Sequence, residues 1–538
     1  MLKAIMSLKR FGLQVQQSRS ALATNPPIDR ARCEQLLAPM CLGHPSQGAF
    51  KTIALICLVT LSGMLVHLPW LDERAFPLVW IGLALWIAVT WRQPRHIAFR
   101  LWLWGGFVGL AMVYHWLPSM TARHLEVGGL TGLQVAILVV LWDAFRFGVF
   151  GYVIAWIQES RPNSLLIWPI VWVALEWIWP HIIPWRLGHT QIGWLSLCQI
   201  AEVTGVYGIS FIVMWSAACL ATLARAGLKL EANEAIHHRW KITLCGLAVL
   251  TCCLWGKCRI RQIEGQRQAS PSLRVALVQP GNTENTLESL RNQSLMVDGE
   301  VDLIAWGEST IGSFAEELTS FQSIDQTAKY SRFPVSDARP CPGLQCALLC
   351  GGGTFAVGQK QTGPFYNTAY LIAHDGRILN RYHKRLLMPW GEYAAGQQWV
   401  PGLTDLLSHR DRMIAGKLSA PLTLPDGTQL GVLICYEDLQ PQAVRKTVID
   451  GAEILINLNN HILFGRTLAV RQHEKIARFR AIECRRDLLR CGRTGLSSHI
   501  SATGEVLEQA SLNDVGCLLV TARRLQTRTI FTHLFLGS

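Results

Sequence analysis

Three short stretches end in groups able to do acyl chemistry. "GVLICYED" runs apolar from Gly431 to Ile434 and then presents the thiol of Cys435. "VDLIAWGEST" (301–310) presents the carboxylate of Glu308, and "YHKRLLMPWGEY" (382–393) presents the ammonium of Lys384. A thiol attacks as its thiolate, which needs a base or a positive neighbourhood. A carboxylate in a partly apolar site can take that proton. An ammonium, helped by the backbone N–H beside the nucleophile, can hold the oxyanion of a tetrahedral intermediate. Each group also has a plain structural reading. A free cysteine at a strand end packs as a small hydrophobe, "GEST" suits a helix N-terminus, and a lysine in "YHKRLL" suits a solvated surface. With 16 cysteines in the chain, residue type alone does not single out Cys435.

The elements around these residues read as strands alternating with helices. "LRVALVQPG" (273–281) and "VDLIAW" are short β-rich runs, and "TAYLIAHDGRILNRYHK" (368–384) is a hairpin around Asp375-Gly376. "GVLICYED" precedes a helical "QAVRKTVIDG", a strand "AEILINLNN" (452–460) and a longer helix over 469–487. This alternation predicts an α/β layered domain over 272–525, followed by a tail over 526–538. A strand turning into a helix at Cys435 would expose the thiol beside positive backbone ends.

The first half follows a different grammar. Half of the 538 residues are hydrophobic and 16% are charged, too few charges for a soluble chain of this length. Eighteen of the 21 tryptophans lie before residue 256. Apolar runs at about 53–70, 76–91, 101–118, 130–157, 165–183, 207–223 and 240–256 predict seven membrane spans within a domain over 51–258. Residues 1–50 form a basic extension with no secretory-signal pattern, expected in the cytoplasm. Lys3, Lys9, Arg10, Arg19, Arg30, Arg32 and Lys51 place that end inside, and seven crossings then deliver the α/β domain outside. Lys257, Arg259, Arg261 and Arg267, just past the last span, run against this assignment. Asp143 and Arg146, three apart on one helix face, suit either a salt bridge or a substrate role, and Glu176 lacks an obvious local partner.

The net charge of +13 is a loop property of membrane proteins, and no nucleic-acid motif accompanies it. No CxxC pair or Cys/His zinc spacing is present, so no metal is implied. Cys341, Cys346 and Cys350 lie close enough for a disulfide or a metal, or pack as small hydrophobes.

The local sequences resemble the nitrilase (carbon–nitrogen hydrolase) superfamily, and more closely the apolipoprotein N-acyltransferase family. "AWGEST" is similar to the family's base motif, "YHKRLLMPWGEY" to its lysine motif and "ICYE" to its nucleophile motif. "HEKIARFRAIECRRDLLRCGRTG" (473–495), "GFVGLAMVYHW", "WPIVWVALEWIWP" and "GVYGISF" extend the likeness over about residues 50–535. The resemblance implies a multi-span helical membrane domain fused to an α-β-β-α sandwich. It implies a base at Glu308, a lysine at Lys384 and a nucleophile at Cys435, with Glu392, Tyr436 and Glu437 in support. It further implies a phospholipid acyl donor, a lipoprotein amine as acceptor, no cofactor and a site on the periplasmic side of a bacterial inner membrane.

The chain departs from the family at Gly307, where proline is usual, and at "NNHILFG" (459–465), which keeps Asn460, Phe464 and Gly465 but loses an Asp and a Trp. The family's last transmembrane helix would begin where the chain stops, and the basic leader is unusual. A TraB-like nitrilase-domain protein of conjugative plasmid transfer, acting on another amide or ester, shares these departures. A membrane assembly protein with a non-catalytic nitrilase shell is a third expectation.

Overall fold

The computed structural model describes residues 45–161, 164–181, 183–227, 232–281, 286–315, 339–355, 364–393, 413–512 and 514–534. The expectations for residues 1–44 and for the last residues of the tail lie outside them.

Long apolar helices dominate the first half: α1 (Pro45–His67), α2 (Phe76–Thr90), α3 (Arg95–Val113), α5 (Gly129–Ser160), α7 (Val206–Gly227) and α8 (Ala232–Ala269), with the short α4 (Leu117–Leu125) and α6 (Ile167–Ile178) between. Among the described residues, six helical stretches are long and apolar enough to cross a membrane. The expectation of seven is corrected at its fifth member, 165–183, which forms only the 12-residue α6. Pro180 is the cause. The residue before a proline is pushed out of the helical region, and Trp179 duly has an extended ψ of 126°.

Contacts at the two ends of the bundle show which way each helix runs. At one end Arg95 pairs with Glu159, Trp91 stacks on Trp168 and Arg225 reaches Ala88 O. At the other end the bundle meets the second domain. α6 therefore starts at the first end with Trp168 and finishes near the second, where Glu176 accepts from Leu187 N. Short as it is, α6 carries the chain back across the bundle.

The buried polar residues of the bundle are bridged rather than bare. Asp143 and Arg146 meet through His181, at 3.7 and 2.9 Å respectively. Glu176 has a local partner after all, Trp172 Nε1 one turn earlier at 2.9 Å. Arg146 also lies over the Trp185 ring at 4.7 Å, a placement that suits a desolvated guanidinium.

The second half stacks two sheets. The first contains β1 (Ser272–Gln279), β2 (Leu303–Trp306), β3 (Ser313–Ala315), β4 (Ala347–Phe355), β5 (Phe365–Ile372), β6 (Ile378–His383) and β13 (Gly516–Arg523), in the order β13-β1-β2-β4-β5-β6 with β3 on β4. The second runs β12 (Val506–Gln509), β11 (Ser498–Ile500), β10 (Leu488–Gly492), β9 (Ile454–Asn459), β8 (Gln429–Ile434) and β7 (Leu422–Thr423). Each sheet has a parallel centre, β1-β2-β4 and β8-β9-β10.

The inner faces share one apolar core, with Val275, Leu277 and Leu349 against Val432, Ile456 and Leu489. Outside the first sheet lies α9 (Thr286–Val297), bringing Leu290 to a core that also takes Cys341 and Cys350. Those cysteines and Cys346 are free thiols. Outside the second sheet lie α10 (Pro441–Ile449) and α11 (Ala469–Cys484). Strands buried on both faces read as continuous apolar runs, as "LIAW" and "GVLI" do. The result is an α-β-β-α sandwich.

The helix α11 joins the two halves. Lys475 Nζ donates to Pro69 O at 2.7 Å, Gln472 takes the Trp116 indole N–H at 3.0 Å, and Glu483 accepts from Val206 N at 3.2 Å. Just beyond it Arg485 pairs with Glu202, which also holds Arg259. Breaking a buried pair leaves a desolvated charge behind, at about 3–5 kcal/mol. Arg485→Leu is therefore expected to lower the thermal midpoint of the detergent-solubilised chain clearly. Glu73→Gln removes the partner of Arg478 from a half-exposed position and is expected to cost no more than about 1 kcal/mol.

Candidate active site

Cys435 follows the last residue of β8 and opens a 3-10 turn over Cys435–Leu439. Its φ is +51°, the left-handed region that non-glycine residues rarely adopt. Two contacts hold it there. Asn457 Nδ2 donates to Cys435 O at 3.0 Å, and Glu437 Oε2 accepts from Ile434 N at 2.8 Å. The chain thus turns sharply from strand to helix and leaves the thiol partly exposed.

Glu437 is fully buried and also binds the neighbouring strand end. Its Oε1 accepts from Arg385 N at 2.8 Å and Leu386 N at 3.1 Å, and the Tyr382 hydroxyl reaches the carboxylate at 2.9 Å. Burial raises its pKa, with the Lys384 charge pulling the other way. One side chain therefore ties the segment carrying Lys384 to the turn carrying Cys435.

Lys384 follows β6 and is 1% exposed. Its Nζ donates to Glu392 Oε1 at 2.6 Å and lies 3.9 Å from Glu308 Oε1. Burial alone would lower this pKa, but Glu392, Glu308 and Cys435 outweigh it and hold the ammonium charged. Glu392 closes its own loop by accepting from Met388 N at 2.8 Å.

Glu308 sits two residues past β2, buried, with Asn367 Nδ2 donating to its Oε1 at 2.6 Å. Burial raises its pKa, and Lys384, Asn367 and a hydrogen bond with the Cys435 thiol oppose the rise. Burial and the nearby Glu308 charge likewise push the thiol well above its ordinary value. Burial thus favours the neutral thiol at Cys435, with the Glu308 carboxyl and the Lys384 ammonium beside it. Such a set can move one proton from sulfur to oxygen while a positive group faces any oxyanion that forms.

The sequence-predicted residues Glu308, Lys384, Cys435, Glu392 and Glu437 converge here, from opposite sheets. Tyr436 is buried next to the thiol, and burial raises its hydroxyl to about 12.

Gly307 has a local reason. A β-carbon there would lie 2.4 Å from Arg493 N and 2.9 Å from Asn459 O, so the loop carrying Glu308 passes too close to the second sheet for a side chain. The altered block 459–465 meets the membrane half. Phe464 packs edge-on against Trp116 at 5.5 Å, and Arg123 donates to Leu463 O at 2.8 Å.

Several residues were not singled out from sequence. Asn367 and Asn457 are polar residues in otherwise apolar strands, and that break in the pattern was the available signal. Asp438 is buried between His473 and Arg490, whose Nε lies 3.0 Å away. Burial would raise this carboxylate, but His473 and Arg490 hold it well below the usual range. Nothing local marks that trio.

The sandwich and its strand-end cysteine define a carbon–nitrogen hydrolase domain, and the Carbon-nitrogen hydrolase family model matches residues 266–529. The Apolipoprotein N-acyltransferase N-terminal domain model matches residues 62–219, within the helical half. An apolipoprotein N-acyltransferase of Geobacter metallireducens is 27% identical over 84% of this chain and 85% of its own length. One of Vibrio vulnificus is 25% identical over 86% of each. A crystal structure of a carbon-nitrogen hydrolase from Helicobacter pylori G27 is 19% identical and covers 47% of this chain and 89% of its own, with a TM-score of 0.33. The chain belongs to the apolipoprotein N-acyltransferase family, membrane acyltransferases with a carbon–nitrogen hydrolase domain. It is a multi-pass bacterial membrane protein. The conjugation reading gains no support from these relatives.

Glu437→Gln would aim an amide N–H₂ at groups that are themselves donors, leaving at least one unsatisfied. We expect a loss of about 2 kcal/mol or more in thermal unfolding. Tyr382→Phe leaves the three backbone donors satisfied and is expected to cost about 1 kcal/mol.

Proposed function

We propose that the chain transfers an acyl group from a membrane phospholipid to the N-terminal amine of a lipoprotein through a thioester on Cys435. The convergence of Glu308, Lys384 and Cys435 within one hydrogen-bonded cluster carries this reading. In the first half-reaction sulfur attacks the ester carbonyl as the thiol proton passes to Glu308. The oxyanion is held by Lys384 and the N–H of Tyr436. The carbon–oxygen bond then breaks, Glu308 returns the proton to the departing alkoxide, and a lysophospholipid leaves. In the second half-reaction the amine attacks the thioester and gives its proton to Glu308. An amide forms, and the thiolate leaves and regains that proton. Lys384 stays charged throughout, as its two carboxylate neighbours favour.

The catalytic domain lies outside the cytoplasm in this reading. The bundle end remote from it gathers Arg92, Arg95, Arg100, Arg161 and Arg225. Basic residues of this kind mark the cytoplasmic side. The basic residues after the last span are largely neutralised: Arg259 pairs with Glu202, and Arg267 with Asp487 and Glu264. Because α6 returns the chain across the bundle, six long helices still leave the two domain ends on opposite faces.

Incubating the purified chain with phospholipid is expected to add one acyl mass to the peptide containing Cys435, and none in Cys435→Ala. Folded protein with no adduct would overturn the proposal. Glu308→Gln is expected to slow adduct formation by about 10²–10⁴-fold. Glu308 must be ionised to accept the proton, so the rate is present above its raised pKa and falls as pH drops through it. Asn367→Leu removes a donor that favours the ionised form, so the acid limb of the adduct-formation rate should move to higher pH.

A further inference from the structure

The outer side of α3 and α5 carries a groove that the chemistry at Cys435 does not use. It holds about 430 Å³ and is lined by His96, Phe99, Arg100, Val149 and Tyr152. The lining is almost entirely apolar carbon, supplied by the aromatic rings, Val149 and the stem of Arg100. Gly148 shapes its floor: a β-carbon there would come within 2.8 Å of the Phe99 ring, which instead rests against the α5 backbone.

The groove lies at the end of the bundle remote from the catalytic domain. Val149 and Tyr152 precede Glu159, the partner of Arg95, by ten and seven residues. At 1.5 Å per residue that places them about 10 to 15 Å inside the helix end. With the charged end among the headgroups, this is the depth of the glycerol and first acyl carbons. His96 and Arg100 are exposed at the mouth, and Arg92 and Arg161 are exposed on the same end. Glu159 is already engaged by Arg95, so the end keeps an excess of positive charge.

We propose that this groove binds a phospholipid with an anionic headgroup, one acyl chain lying along Phe99, Val149 and Tyr152 and the phosphate meeting Arg100 and His96. A second copy of the chain, packed side by side in the same bilayer, would bring two basic ends together. A zwitterionic lipid would fill the groove and leave the charge unmatched. This site is separate from the acyl donor position at Cys435 and stands whether or not that chemistry is as proposed.

The test is a native mass-spectrometry titration of the full chain in detergent with dioleoyl phosphatidylglycerol and dioleoyl phosphatidylcholine. Preferential retention of the phosphatidylglycerol is expected. Arg100→Ala should weaken it roughly five-fold, the worth of one basic residue at an anionic surface. Val149→Trp, which fills the groove, should weaken both lipids, and both variants should keep the wild-type rate at Cys435. Equal retention of the two lipids, unchanged phosphatidylglycerol affinity in both variants, or a dimer that displaces lipid from the groove would each overturn the proposal.

Discussion

A single buried carboxylate holds the centre of this molecule together. Glu437 accepts hydrogen bonds from the end of β8 and from two consecutive amides after Lys384, segments that belong to different sheets. Other hydrogen bonds cross nearby, such as Glu308 N to Asn459 O at 3.3 Å, but the apolar contact between the inner faces does not by itself fix position to a fraction of an ångström. Directional bonds from an immobile acceptor do. The left-handed turn at Cys435 depends on the same anchor, because its strain persists only where surrounding contacts over-determine it.

A second layer of buried charge supports the first. Asp438, one residue on, engages His473 and Arg490, and His473 lies on α11, the helix that also grips the membrane half. The position of the thiol is thereby linked through one rigid helix to the ends of α1 and α3. Every residue of α11 except Arg471 is buried. Its buried polar side chains are paired, which is why its sequence lacks the apolar stripe of an ordinary surface helix.

The strands bearing Glu308 and Cys435 were legible because each is a short apolar run stopped abruptly by a charged or reactive residue, and the strand before Lys384 because it closes a hairpin around Asp375-Gly376. Glu392 and Glu437 came from likeness to known motifs, and their roles as loop closers became visible only with the hydrogen bonds. Asn367, Asp438, His473 and Arg490 escaped notice because their partners are distant in sequence, and no local period encodes such a meeting. The span count failed for a local reason. Composition over 165–183 is apolar enough to cross, but Pro180 stops the helix after 12 residues. Gly307, a departure from the family, answers to a steric requirement of the neighbouring Arg493 backbone.

The 38-residue helix α8 passes into β1 with only Ser270 and Pro271 between them. Both residues are pinned, Pro271 O by Arg524 N at 2.9 Å and Ser270 O by Arg523 at 3.2 Å. The helix is about 57 Å long at 1.5 Å per residue, well beyond the roughly 30 Å of a hydrocarbon core. The sandwich is therefore carried on a stiff mast rather than a tether. A tethered domain samples a volume, and its encounters are governed by an effective concentration set by linker length. Here that volume collapses to one height and one tilt. Under the proposed function only partners presented at that height meet Cys435, so encounter becomes a two-dimensional search within the plane of the membrane.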